Sequence, residues 1–156
     1  MVHRDPKTHC RAVAAIAPAS YGTGATNGTG FTKTGFDYAM IILKTGVLGA
    51  SATLDVKVQE SDTLGSGYTD VTGAAFSQKV KASDDNLIYV AQMQLSKRKK
   101  FLRVVGTVGA AASIFDVSVV LLEGDRSDGV SIAQAASEAK ASPVAASGAG
   151  SYEFSV

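Results

Sequence analysis

The residues able to do chemistry are few and poorly spaced for it. His3, His9 and Cys10 offer metal-binding atoms near the start of the chain, but no second Cys or His cluster follows to complete a tetrahedral site. Nothing beside Cys10 in sequence supplies a base to activate its thiol. Gly22, Gly24, Gly28 and Gly30 lie in the run YGTGATNGTGFTKTG. Their spacing is wrong for a phosphate-binding loop, and no lysine or helix start follows as such a loop requires. The run reads as a long loop. Asp62, Asp84, Asp85, Glu123, Asp125 and Asp128 are scattered over turns. A carboxylate pair working on sugars needs a cleft lined by aromatics, and the chain has no tryptophan. EGDRSDG (123–129) sets oxygens on a glycine turn, which suits a hard cation, but it lacks the twelve-residue order of an EF-hand. No catalytic residue, cofactor or metal is expected.

The densest charge is Lys97-Arg98-Lys99-Lys100. Binding to single-stranded nucleic acid would call for basic residues interleaved with exposed aromatics, and only Phe101 is near. With a net charge of +1, no global field draws the chain to nucleic acid or an anionic membrane. The run reads as the solvated tip of a hairpin; as a binding patch, it would meet an acidic protein surface. No apolar run reaches the length of about 18 residues that spans a bilayer. The polar opening MVHRDPKTHCR is not a secretory leader, so synthesis in a cytoplasm without export is expected. A lone cysteine excludes an intrachain disulfide and agrees with that compartment.

The elements that must position these residues are strands. The clearest stretch is ATLDVKVQESDTLGSGYTDVTGAAF (52–76), where Ala52, Leu54, Val56 and Val58 alternate with Thr53, Asp55, Lys57 and Gln59. A period of two places one set inside and the other in water. Glu60-Ser61-Asp62 with Gly65 and Gly67 reverses the chain, and Tyr68, Val71 and Phe76 return it as an antiparallel ribbon. Other strands are expected over 12–16, stopped by Pro18, and over 36–48. Residues 79–86 are polar and end in the turn Ser83–Asn86. A strand over 87–95 is expected to pair with 101–108, and 113–123 to complete that pairing and close the core. Phe36–Leu48 is apolar on both faces, with Tyr38, Met40 and Ile42 on one of them. Such a strand is central, or is covered by another subunit.

About six strands with turns at short intervals describe an all-β protein, an antiparallel β-sandwich or jelly roll with extended N- and C-terminal arms. The domain is expected over 12–125. Residues 1–11 form one arm and the Ala/Ser-rich 126–156 the other, with a short helix over 131–140 stopped by Pro143. Tyr152, Phe154 and Val156 alternate at the end and read as a docking tail that adds an edge strand to a neighbour.

Two stretches, LDVKVQESDTLGSGYTDVTGAAF and KFLRVVGTVGAAASIFDVSVVLLEGD, resemble small proteins encoded among the head genes of tailed bacteriophages. Those are commonly decoration, or cement, proteins. The resemblance spans about residues 36–125 and carries over no catalytic residue. It implies a β-sandwich or jelly roll on the outer capsid, with the major capsid protein as partner and the virion as destination. It also implies an oligomer, a trimer at threefold positions, reinforcing capsomer contacts. Tyr38, Met40, Ile42, Lys97, Arg98, Lys99, Lys100, Tyr152, Phe154 and Val156 are the expected contact residues; neither nucleic acid nor membrane is an expected partner. The alternative is a carbohydrate-binding module of a tail or adhesin using Tyr38, Tyr68 or Tyr89 as sugar platforms.

Overall fold

A computed structural model describes residues 9–123 and the strand Ser151–Ser155. The long strands are β1 (Cys10–Tyr21), β4 (Tyr38–Thr45), β5 (Thr53–Ser61), β6 (Thr69–Ala75), β8 (Ile88–Gln94), β9 (Phe101–Gly109) and β10 (Ser113–Leu122). Shorter ones are β2 (Gly24–Asn27), β3 (Phe31–Thr32), β7 (Lys79–Val80) and β11 (Ser151–Ser155), with a single helical turn, α1 (Lys81–Asp84). They form two sheets. Sheet A runs β1-β10-β4-β8-β11 and sheet B runs β2-β9-β5-β6, with β3 paired to β9 and β7 to β5. All pairings are antiparallel except β11 on β8.

The period-two pattern is realised where it is cleanest. Leu54, Val56 and Val58 of β5 face inward with at most 1% of their surface exposed. They meet Ile41 and Leu43 of β4 and Val117, Val119 and Leu121 of β10 in one apolar core between the sheets. Burial of each such side chain stabilises by roughly 1.5–3 kcal/mol.

Drawn as one long hairpin bent at the β5–β6 turn, the chain pairs first with last: β1 with β10, β2 with β9, β4 with β8, β5 with β6. Successive pairs alternate between the two sheets. That connectivity makes the sandwich a double-sheet jelly roll, and it corrects the expected partners. β8 and β9 are not a hairpin: β8 pairs with β4 in sheet A, and β9 with β5 and β2 in sheet B. β9 and β10 likewise lie in different sheets. Alternation shows which side chains face inward, not which sheet they face from. Packed sheets stand about 10 Å apart, a gap that a connection as long as Ser96–Lys100 crosses readily.

Three expected boundaries also move. β1 runs through Pro18 rather than stopping before it. It is an edge strand paired only with β10, and its register shifts between Ala14 and Ile16 and again between Ile16 and Ala19. Proline is tolerated at such an edge irregularity because no ladder partner needs its missing N–H. The glycine-rich loop is instead a strand pair, with β2 and β3 both on β9. At Gly28 a Cβ would stand 2.5 Å from the Ala15 carbonyl oxygen and 2.7 Å from that of Val104. Only glycine fits there, and Gly28 N–H donates to Val104 and Thr29 N–H to Ala15. The polar segment 79–86 holds β7 and α1, with Lys79 and Asp84 both buried.

At the ends, Cys10 and Arg11 belong to β1 rather than to an arm. The C-terminal strand β11 lies parallel on β8 of its own chain, with Ser151 opposite Tyr89, Tyr152 opposite Val90 and Ser155 opposite Gln92. This replaces the expectation of strand addition to a neighbour: β11 covers the edge that β8 would otherwise present. Residues 1–8, the segment 124–150 with its expected helix, and Val156 lie outside the described residues.

Candidate binding surfaces

Sheet A has a second face, turned away from the core. Strict alternation along β4 buries Ala39, Ile41 and Leu43 and turns Tyr38, Met40 and Ile42 outward, half-buried. Register carries that face across the sheet in rows. Tyr38 stands between Leu122 and Gln94, Met40 between Val120 and Gln92, and Ile42 between Ser118 and Val90. One row further, Lys44 stands between Asp116 and Ile88. Its ammonium meets the Asp116 carboxylate at 2.8 Å. The two-sided apolar run thus has a plain cause. β4 is central in its sheet, one face serves the core, and the other forms an apolar band bordered by an ion pair. Val120, Leu122 and Val90 were missed as members of this band, although their outward phase follows from the alternation in their own strands.

The basic run lies at the end of the barrel-like roll where β8 hands over to β9. Lys97 and Lys100 are exposed, while Arg98 and Lys99 are half-buried. Lys99 reaches Asp62 at 3.4 Å and its backbone N–H donates to Glu60 at 3.0 Å, so the β5–β6 loop sits against the run. Lys33 joins from the other side: its backbone N–H donates to the Lys100 carbonyl and its ammonium to the Leu95 carbonyl. As the connection spans the two sheets, the expected hairpin tip is a sheet-to-sheet bridge. Leu64, 57% exposed, projects from the β5–β6 loop beside Gly30 and Tyr68. Lys33 and Leu64 escaped the sequence reading because only tertiary pairing of β3 with β9 brings Lys33 to this end.

Of the proposed sugar platforms, Tyr89 is 2% exposed and its hydroxyl donates to the Asp84 carboxylate, so it presents no ring to a ligand. The Lys79 ammonium lies 3.8 Å from the Tyr89 ring centroid. One face of the Tyr68 ring is taken by the Arg103 guanidinium, 4.3 Å from its centroid. Tyr38, half-buried, lies on the outward face of sheet A.

Several other titratable groups are held in hydrogen bonds and ion pairs. Asp84 accepts from Val80 N–H at 2.9 Å and Ser83 Oγ at 2.8 Å as well as from Tyr89. Asp85 is held below the usual carboxylate range by the Leu48 N–H, which donates to Oδ1 at 2.8 Å, and then by Lys81 at 3.2 Å. Hydrogen bonds from Lys57 and then Gln59 hold Asp70 low in the same way. His9 Nδ1 contacts Glu123 at 2.7 Å, tying the start of β1 to the end of β10. Among the described residues no cluster of His, Cys, Asp and Glu could hold a metal ion, and no helix is long and apolar enough to cross a membrane. Most of the 123–129 loop lies outside the described residues.

No protein-family model matches the chain, and no curated protein matches it.

Proposed function

We propose that the chain is a structural virion protein, a decoration protein that binds the major capsid protein on the outer surface of a tailed-phage capsid and reinforces capsomer contacts. The observation that carries this reading is the outward face of sheet A. Tyr38, Met40, Ile42, Val90, Val120 and Leu122 form a band across three neighbouring strands of a rigid jelly roll, a surface suited to protein contact. The resemblance of the β5–β6 and β9–β10 stretches to phage head proteins supplies the partner. In the same reading the protein is made in the host cytoplasm and acts as an oligomer, a trimer at threefold positions, with a second copy covering part of this band. The sugar-binding alternative loses ground with Tyr89 enclosed and Tyr68 covered on one face.

Cosedimentation with capsids lacking the protein tests the proposal. Wild type is expected to pellet with them to saturation. Ile42→Lys, with an unchanged far-ultraviolet circular dichroism spectrum, is expected to stay in the supernatant or bind at much lower occupancy. A folded wild type that never pellets with capsids overturns the reading.

A further inference from the structure

The geometry points to the basic end of the roll as a docking surface for an acidic, extended protein segment carrying an apolar residue. Two segments distant in sequence converge there. Lys97, Arg98, Lys99 and Lys100 come from the β8–β9 bridge and Lys33 from the turn after β3, fixed to each other by the Lys33 N–H to Lys100 carbonyl bond of 3.1 Å. Of the acids nearby, Glu60 and Asp62 are engaged with Lys99, and Asp37 lies beside Leu95, whose N–H donates to its carbonyl. Lys97 and Lys100 have no carboxylate partner among the described residues, and Lys100 rests only against the Phe101 ring at 5.3 Å. These two exposed ammonium groups are therefore left to attract an outside anion. A leucine 57% exposed on the neighbouring loop adds an apolar contact point. Charge beside one exposed aliphatic side chain is the pattern of a protein contact, in which the charges steer encounter and set register.

Nucleic acid fits this surface less well. Stacking of bases needs free aromatic faces, whereas the Phe101 ring carries Lys100 and a face of Tyr68 carries Arg103. This inference goes beyond the capsid reading and does not need it, since any partner with an acidic apolar segment satisfies it.

Fluorescence anisotropy on the isolated full-length chain tests it, using a short labelled peptide of glutamates around a central leucine. The expected result is saturable binding that weakens steeply as salt rises, as screening shortens the reach of exposed charges. Lys97→Glu combined with Lys100→Glu is expected to weaken it by about tenfold or more, equivalent to roughly 1.4 kcal/mol. Lys57→Glu, a reversal on β5 in sheet B, is expected to change little, while Lys97→Glu alone, with the same change of net charge, is expected to weaken binding, which separates the patch from net charge. Leu64→Ser is expected to weaken peptide binding without altering the salt slope. Equal loss in Lys57→Glu, no binding by a folded wild type, or tighter binding of a labelled oligothymidylate than of the peptide each overturns the inference. Capsid cosedimentation of the same variants is read separately, so failure here leaves the capsid reading to its own test.

Discussion

Gly106 offers the sharpest test of how the two sheets meet. It sits in β9 with ordinary extended backbone, outside the set of positive-φ glycines, so alanine is conformationally allowed. A Cβ there would nevertheless stand 2.7 Å from both Cε2 and Cζ of Phe115, and 3.5 Å from Cδ1 of Ile16. Phe115 is 1% exposed, with its ring 4.8 Å from that of Tyr21, and has only two side-chain torsions with which to yield. Two effects oppose each other. Replacing glycine restricts the unfolded chain and stabilises by about 0.4–1 kcal/mol, while an added methyl in a filled core costs about 1–3 kcal/mol. Overpacking wins on these magnitudes, and Gly106→Ala should lose about 1–2 kcal/mol net. In a thermal melt followed by circular dichroism the midpoint should fall by about 3–8 °C. Trimming the obstacle should reveal the cause. In the double variant Gly106→Ala with Phe115→Leu, the two costs should sum to more than the measured loss, with a coupling of at least about 0.5 kcal/mol. A midpoint unchanged or raised in Gly106→Ala, or strictly additive costs in the cycle, would refute the placement of Phe115 over β9.

Other perturbations probe other parts of the roll. Val117→Asp puts a carboxylate at a position 0% exposed; its burial costs several kcal/mol against a marginal total, and the cooperative melting transition should be lost. Asp84→Ala removes the acceptor shared by Tyr89 Oη, Val80 N–H and Ser83 Oγ, and should cost about 2 kcal/mol or more in urea unfolding, whereas Tyr89→Phe should cost about half as much. Asp85 has a lowered folded-state pKa, so its contribution is present above the unfolded value of about 4 and is lost as pH falls through the folded value. Stability measured from neutral pH down to acid should therefore fall less steeply in Asp85→Asn than in wild type, and parallel curves would show that the Leu48 N–H bond carries no linkage.

What the sequence made legible follows the reach of each physical signal. Alternation is a local signal, and it located the core face of β5 because inward and outward residues there differ in polarity. It failed at β1, where alanines on both faces and a proline hide the phase, and at the end of β2, where Gly28, which fits between Ala15 and Val104, looks identical to a loop glycine. The assignment of strands to sheets depends on which loops cross the core. A run such as Ser96–Lys100 has the composition of a hairpin tip and the length of a crossing, so composition misleads where length decides. Lys79 and Asp84 were equally hidden. Charged side chains read as turn residues, and only the fold shows that both are enclosed beside Tyr89.

The candidate surfaces divide along the same line. Tyr38, Met40 and Ile42 were visible because a strand apolar on both faces requires two covered faces, and the sandwich covers only one. Extending that band to Val90, Val120 and Leu122 needed the cross-strand register, which no single strand encodes. At the basic end the sequence showed the charge but not its neighbours: Lys33 is brought to Lys100 by β3 pairing with β9, and Leu64 comes to the same end with the β5–β6 loop. The two surfaces are adjacent. The row of Tyr38 and Leu122 lies at the end where Leu95 N–H donates to the Asp37 carbonyl before the basic bridge begins. A partner seated on the apolar band can therefore reach the charged end without spanning the molecule. Under the capsid reading, Ile42→Lys and the Lys97/Lys100 reversal should each lower cosedimentation with capsids if one partner uses both surfaces, whereas the reversal should leave it unchanged if the charged end serves a different partner.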